Sequence, residues 1–144
     1  MLRYTSTLQP EYGDELERLM FFNPGQQTAM AAIVDSVETF GAPSVYTERG
    51  RLRVRVEKLE DVQTLFALDG DTLVGVLVYS RVALERLVVI HIAVEQDYSA
   101  HGKFAQNMLV MRMLELLRNN ARRIKGIETI RMMYGDNRVR DFSV

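Results

Sequence analysis

The chain has 144 residues, 47% of them hydrophobic, which is enough for one ordinary domain with a sizeable core, and we expect a single domain over residues 1–144. With no cysteine and only two histidines, disulfides, thiolate catalysis, cysteine-based zinc sites and a multi-histidine metal site are excluded, so we expect no metal. The net charge of −1 and the lack of a signal-like or membrane-length apolar run predict a cytoplasmic protein without membrane contact, for which nucleic acid is an unfavoured partner.

The first third of the chain predicts two helices. Residues 2–9 suit a short strand or an irregular segment. Pro10 then opens an acidic segment, and acidic residues favour a helix N-terminus electrostatically. A turn signal at residues 23–25 ends this segment, and the second helix is predicted over about 26–39.

Strands are predicted next. Two of them are expected at about 44–58 and 63–69, with a turn near Glu60. An Asp-Gly-Asp sequence at residues 69–71 is a hairpin signal that leads into a further strand at 73–79. These segments predict an antiparallel part of a sheet.

The sequence alternates strictly between arginine and apolar residues inside the first of these strands. One face carries Leu52, Val54 and Val56, and the other carries Arg51, Arg53 and Arg55. The pattern predicts a half-buried strand with a solvated charged face. The alternative is a surface that binds anions, because arginine forks suit phosphates and carboxylates. Nucleic acid is disfavoured because no aromatic residue interleaves with the arginines in the sequence.

A β-α-β unit is predicted at residues 87–133. A buried-looking strand at 87–94 runs through a glycine turn at 95–102 into a long apolar helix that is expected to start near Lys103. A second strand follows at 127–133. A strand that turns into a helix N-terminus leaves backbone N–H groups unpaired, which makes a natural seat for a phosphate. The order of elements predicts an α+β or α/β sandwich with a mixed sheet.

At this turn the chain resembles the GNAT superfamily of acyl-CoA-dependent N-acetyltransferases. That family places a Gln/Arg-x-x-Gly-x-Gly/Ala loop between its fourth strand and third helix, around the pyrophosphate of acetyl-CoA. When Asp97-Tyr98 is aligned with the family's Asp-Tyr lead-in, Ser99 takes the Gln/Arg position, Gly102 the first Gly and Phe104 the last Gly/Ala. Only Gly102 matches, and we expect Phe104 to turn into the core.

The resemblance implies a GNAT-like mixed, mostly antiparallel sheet with helices on both faces and acetyl-CoA or another acyl-CoA as cofactor. It also implies a V-shaped cleft between the fourth and fifth strands, lined by residues 91–95 and 132–135. The residues expected to bind the cofactor are Ala93, Val94, Ser99, Ala100, His101, Gly102, Lys103 and Asn137.

Amine acetylation needs a group that takes a proton from the amine and a group that supplies one to the leaving thiolate. The candidate bases are Glu85 and Glu95, which flank the long strand, and His91 within it, and the candidate acids are Tyr98 and Tyr134. Glu85, next to Arg86, has the plainer interpretation of a surface charge. His91 has a plainer alternative: its side chain points away from those of Ile90 and Ile92, where it is exposed or simply hydrogen-bonded. The acceptor, a small or protein amine, is not identified by the sequence.

From the length of chain after Asn137 we expect the family's fourth helix, last two strands and usual tyrosine acid to be missing or replaced. We therefore expect the strand at 127–133 to be an unprotected edge that a homodimer covers. The function expected from the resemblance is transfer of an acyl group to an amine. The alternative is a catalytically inactive GNAT-fold module for ligand sensing or protein interaction, which uses the arginine face.

Overall fold

The computed structural model describes residues 1–23, 30–99, 102–132 and 140–144. Within them a six-stranded sheet, a separate two-stranded hairpin and α-helices form the fold. The helices are α1 (Gly13–Phe21), α2 (Met30–Phe40) and α3 (Leu109–Ala121). The strands are β1 (Leu2–Thr5), β2 (Pro43–Glu48), β3 (Arg51–Val56), β4 (Val62–Asp69), β5 (Thr72–Ala83), β6 (Arg86–Val94), β7 (Thr129–Met132) and β8 (Arg140–Ser143).

The large sheet has the order β1-β4-β5-β6-β7-β8. Neighbouring strands are antiparallel except β6 and β7, which run parallel and are connected through α3. The predicted α+β fold with a mixed, mostly antiparallel sheet and a β-α-β unit is therefore confirmed. The predicted hairpin between β4 and β5 is confirmed as well.

The helices cover both faces of this sheet, as expected. A Cβ atom on Gly75 of β5 would lie 3.0 Å from the Met113 sulfur of α3, so Gly75 faces α3. Val78, three residues further along β5, pairs with His91, which hydrogen-bonds to the backbone of Met20 in α1. Because successive strand residues alternate between faces, α1 and α3 lie on opposite sides of the sheet.

Helical spacing explains how these helices attach. The buried residues of α3 are spaced by four, which places them on one face: Leu109, Met113, Leu117 and Ala121. The long central strand β5 is almost continuously apolar because it is covered on both faces. Within the described residues, no helix is both long and apolar enough to cross a membrane.

The single strand predicted over 44–58 is wrong, because the chain reverses in its middle. β2 and β3 form an antiparallel hairpin in which Glu48 pairs with Arg51. The turn consists of Arg49 and Gly50, with φ angles of 51° and 73°. Two consecutive left-handed residues match the twist of a tight hairpin, and arginine is an unusual residue at such a position, so the turn signal was weak.

The predicted start of α3 near Lys103 is also wrong. The helix begins at Leu109, after a 3₁₀ turn at Ala105–Asn107 and a left-handed Met108 with a φ angle of 50°. The first helices agree better: the acidic segment after Pro10 becomes a 3₁₀ turn followed by α1. Residues 24–29, where the second helix was predicted to start, lie outside the described residues.

The expectation that β7 is an open edge is wrong. β8 pairs with it antiparallel along its full length, and Arg131 of β7 donates two hydrogen bonds to the Asp141 carboxylate of β8, at 2.8 and 3.1 Å. The edge of β7 is therefore covered by the chain itself. This removes the argument from which a homodimer was expected.

Candidate functional site

Within the described residues, the pairing of the parallel strands β6 and β7 covers the first four residues of β6. Their register begins with Arg86 opposite Thr129 and ends with Val89 opposite Met132. β6 continues for five more residues to Val94. Residues 133–139 lie outside the described part of the chain. The far half of β6 thus supplies one side of the region where the cleft was expected.

A β-bulge lies at the point where this pairing ends. Val78 and Tyr79 are consecutive in β5, but they pair with His91 and Val89, so Ile90 is an extra residue in β6. A bulge of this kind bends the strand and redirects its side chains. The hydroxyl of the buried Ser36 on α2 donates a hydrogen bond to the carbonyl oxygen of Ile90, 3.1 Å away, so α2 holds the bulge in place.

His91 follows the bulge and is buried, with 5% of its surface exposed. The exposed alternative from the sequence is therefore wrong. Burial lowers the pKa of His91 to about 4, although a hydrogen bond with the backbone of Met20 acts in the opposite direction. The imidazole is neutral at pH 7, and it connects the bulged strand to α1.

The last residues of β6 face the expected cofactor region. Ala93 is buried and Val94 is half-buried. The Asn23 side-chain amide, just after α1, donates a hydrogen bond to the Val94 carbonyl oxygen at 2.6 Å. That carbonyl is thus already occupied by a partner from the α1 side of the sheet.

Glu95 lies directly after β6. Its backbone N–H donates to the Val74 carbonyl oxygen at 2.8 Å, which fixes the backbone next to β5. Its carboxylate accepts a hydrogen bond from Arg18 of α1 at 2.7 Å, and 25% of its side chain is exposed. Glu95 is therefore reachable from solvent and held by an ion pair.

Gly102 is required by the shape of the loop. A Cβ atom at this position would lie 2.3 Å from the carbonyl oxygens of both Gln96 and Asp97, so no other residue fits without moving the backbone. The Gly102 N–H donates to the Ser99 carbonyl oxygen at 3.0 Å, and the Phe104 N–H donates to the Asp97 carbonyl oxygen at 2.7 Å. The loop folds back on the 3₁₀ turn that precedes it.

Most of the loop's backbone donors are used inside the loop. The N–H groups of Ala105, Asn107 and Met108 also donate to loop carbonyls. Along the described chain, the next of these bonds comes from the N–H of Arg112, which donates to the carbonyl oxygen of Met108. Residues 109–111 lie before this bond, so their N–H groups have no partner within the helix and are open donors at the N-terminus of α3. The sequence offered no sign of this start, because Met108 is not one of the residues that usually cap a helix.

Two further predicted cofactor residues lie on the outside of the loop. The ammonium group of Lys103 is 3.8 Å from the Asp97 carboxylate and 5.3 Å from the centre of the Phe104 ring, and it is exposed to solvent. The Ser99 hydroxyl donates to the Gln96 carbonyl oxygen at 2.7 Å. Lys103 is thus the cationic side chain that the loop presents.

Phe104 is half-buried and packs against Tyr98, with ring centres 5.1 Å apart. The Tyr98 hydroxyl hydrogen-bonds to the Asp69 carboxylate. Burial raises the pKa of Tyr98 to about 12, and the bond to Asp69 adds to this shift, so Tyr98 keeps its proton at neutral pH. A cavity of about 370 Å³ opens beside the pair. Its lining consists of Arg18, Asp69, Thr72, Val74, Glu95, Asp97, Tyr98 and Phe104.

Four predicted site residues lie outside the described residues: Tyr134, Ala100, His101 and Asn137. The structure brings Ala93, Val94 and Glu95 together at the end of β6, and it places Ser99, Gly102 and Lys103 in the loop that follows. His91 lies on the α1 side of the sheet. Among the described residues, no group of three or more histidine or acidic side chains is arranged to hold a metal ion.

No protein-family model matches the chain. A segment of 69 residues is 36% identical to a mycothiol acetyltransferase of Streptomyces avermitilis. The match covers 48% of this chain and 22% of that protein, so the chain spans less than a quarter of the relative's length. Together with the sheet order, this similarity supports a GNAT-like relation.

Proposed function

We propose that this chain carries a GNAT-like N-acyltransferase unit that moves an acyl group from acetyl-CoA or another acyl-CoA to an amine. The observation that carries the proposal is the parallel β6–β7 pair connected through α3, with the loop that requires glycine at position 102 between β6 and α3. The similarity to an acetyltransferase over about half of the chain supports it. The acceptor is a small-molecule or protein amine.

In this proposal the pyrophosphate lies at the start of α3. The N–H groups of residues 109–111 and the positive end of the helix dipole favour an anion there. Lys103 adds a mobile cation from the loop, and Ser99 adds a hydroxyl. Gly102 acts indirectly, because it allows the loop to fold back. Ala100, His101 and Asn137 complete the set that the family resemblance implies.

The backbone of Ala93 and Val94 would hold the pantetheine arm of the cofactor. The amine nitrogen attacks the thioester carbonyl, a C–N bond forms, and the C–S bond breaks. Glu95 accepts the proton that the amine loses, and Tyr134 supplies a proton to the departing thiolate. His91 is the weaker candidate base, because it is buried, with 5% of its surface exposed, whereas 25% of the Glu95 side chain is exposed.

Release of the CoA thiol tests this proposal. The chain has no cysteine, so a thiol-reactive dye reports only the CoA that is set free. Purified protein is incubated with acetyl-CoA and a panel of primary amines and amine-bearing peptides. We expect at least one acceptor to be turned over, and we expect Glu95→Gln and Tyr134→Phe each to lower kcat by roughly 10²-fold or more.

Glu128→Gln, an exposed residue just before β7, is the matched control and should leave kcat within about twofold of wild type. Equal rates for Glu95→Gln and wild type would remove Glu95 from the mechanism. Acetyl-CoA binding without thiol release for any acceptor would favour the alternative function, an inactive module that senses a ligand.

A further inference from the structure

The β2–β3 hairpin presents a row of arginines to solvent. Arg51, Arg53 and Arg55 are exposed, and they alternate with residues of β3 that are buried. Arg51 donates to the Gln9 side chain at 3.4 Å and to the Gly50 carbonyl oxygen at 3.1 Å. Within the described residues, no salt bridge reaches any of the three guanidinium groups. No ion pair among the described residues therefore neutralises the positive charge of the row.

An aromatic ring lies in the middle of this row. Tyr46 of β2 pairs directly with Arg53, and the guanidinium group of Arg55 lies 4.5 Å from the centre of the Tyr46 ring. This cation–π contact holds one arginine on the hairpin surface. The sequence did not reveal the contact, because Tyr46 and the arginines were assigned to one continuous strand.

A groove of about 410 Å³ lies beside the row. Arg53, Arg55 and Tyr46 line one part of it, whereas acidic residues of the β3–β4 connection line another. The acidic residues of the connection are Glu57, Glu60 and Asp61, and Glu48 of β2, which pairs with Arg51, also lines the groove. The apolar residues of the lining include Leu59 and Val62. The groove thus has its two arginines on the hairpin and most of its carboxylates on the connection.

We propose that this arginine row binds an extended polypeptide segment that carries carboxylates at alternate positions. Alternate residues of a β-strand lie about 6.4–6.8 Å apart on the same face. An extended peptide repeats with the same spacing, so its carboxylates match Arg51, Arg53 and Arg55 in register. Each guanidinium fork forms two parallel hydrogen bonds with a carboxylate.

The acidic part of the groove favours a peptide over nucleic acid. A nucleic-acid strand carries a phosphate at every nucleotide, so a strand that follows the groove would pass the carboxylates of Glu57, Glu60 and Asp61. A peptide avoids this repulsion, because the side chains between its carboxylates point the other way and can be neutral or basic. The net charge of −1 for the chain also lowers general attraction of nucleic acid.

Fluorescence anisotropy with three labelled probes tests the proposal. The first is an eight-residue peptide that alternates Glu and Ser, the second has the same composition with its Glu residues in one block, and the third is an eight-nucleotide oligothymidylate. We expect the alternating peptide to bind at least about fivefold more tightly than the block peptide, because only its spacing matches the row. Binding should weaken as salt is raised.

Two triple variants locate the binding. The hairpin variant replaces Arg51, Arg53 and Arg55 with Ser, and the control variant replaces the exposed Arg3, Arg122 and Arg123 with Ser, so both lose the same charge. We expect the hairpin variant to lose at least about tenfold in affinity and the control less than about twofold. Equal losses, no peptide binding at millimolar concentration, or tighter binding of the oligonucleotide would overturn the proposal.

Discussion

Ser36 and Ile90 connect α2 to the bulge in β6 through a single buried hydrogen bond. The Ser36 hydroxyl lies 3.1 Å from the Ile90 carbonyl oxygen, and 4% of Ser36 is exposed. The extra residue of a bulge is left out of the regular ladder, so its carbonyl needs a partner from elsewhere. The α2 hydroxyl supplies that partner directly after Val89, the last residue of β6 that pairs with the described part of β7.

Replacing this hydroxyl should weaken the fold. We expect Ser36→Ala to lower the free energy of unfolding by about 1–2 kcal/mol, because the buried Ile90 carbonyl loses its donor. Chemical denaturation measures this loss. Ser44→Ala on the exposed face of β2 is the control and should change the free energy by less than about 0.5 kcal/mol. Similar losses for both variants would show that the bulge does not depend on Ser36.

His91 should make stability depend on pH. The pKa of His91 is about 4 in the folded protein and 6.5 in the unfolded chain, so its contribution to the free energy of unfolding is fully present above pH 6.5. As pH falls from 6.5 towards 4, the unfolded chain binds a proton that the folded chain does not bind, and the free energy of unfolding decreases. The total loss from this residue is roughly 3 kcal/mol.

His91→Gln removes this titration. The difference in unfolding free energy between wild type and His91→Gln should shrink as pH is lowered from 7 to 4.5, and urea denaturation at a series of pH values measures it. The carboxylates titrate in both proteins, so the comparison cancels their contribution to the pH dependence. A difference that stays constant with pH would mean that His91 titrates normally in the folded protein.

Gly75 sets how closely α3 approaches the sheet. A Cβ atom there would lie 3.0 Å from the Met113 sulfur and 3.3 Å from the Ala67 Cβ atom. We expect Gly75→Val to cost about 1–3 kcal/mol through overpacking. Adding Met113→Ala should cost less in this background than in wild type, because the sulfur no longer opposes the new side chain.

Leu117→Ala provides the control for this double-mutant cycle. Leu117 is buried in the same helix but is not among the nearest atoms around Gly75. Its cost should therefore be the same with Gly or Val at position 75, within about 0.5 kcal/mol. If Met113→Ala also costs the same with Gly or Val at position 75, this result argues against close contact between Gly75 and α3.

The Arg131–Asp141 pair should contribute modestly to the attachment of β8. The hydrogen bond from Arg131 lowers the pKa of Asp141, so the contribution is present near neutral pH and is lost as pH falls through that lowered value. Both side chains are more than a third exposed, so we expect Asp141→Asn to cost less than about 1 kcal/mol. Hydrogen exchange of the β8 amides, with Glu115→Gln on α3 as control, measures the effect. Unchanged exchange in β8 would contradict this role.

The sequence was sufficient for much of the fold, because periodicity reports burial directly. The alternation in β3 and the Asp-Gly turn before β5 predicted their structures correctly. The turn at Arg49 and Gly50 was missed because arginine rarely adopts a left-handed conformation. The pairing of β8 with β7 was missed because four residues at a chain end carry little periodicity.

Less of the candidate site could be predicted. The family resemblance marked Gly102 as a cofactor residue, but the loop requires glycine there because of a close approach to the carbonyls of Gln96 and Asp97, which depends on how the loop folds back. The start of α3 after Met108 also follows from tertiary packing and not from a capping signal. The burial of His91 depends on α1, which is distant in the sequence.

Isothermal titration with acetyl-CoA tests the central claim most directly. Gly102→Ala places a Cβ atom 2.3 Å from two carbonyl oxygens, whereas the same change at Gly13 meets only a Leu52 methyl carbon at 3.9 Å, so the pair is matched. We predict micromolar binding to wild type, at least about tenfold weaker binding to Gly102→Ala, and less than about twofold change for Gly13→Ala. Lys103→Glu should weaken binding without disturbing the fold. No binding of wild type at millimolar acetyl-CoA, or equal affinities for the two glycine variants, would contradict a cofactor site at this loop.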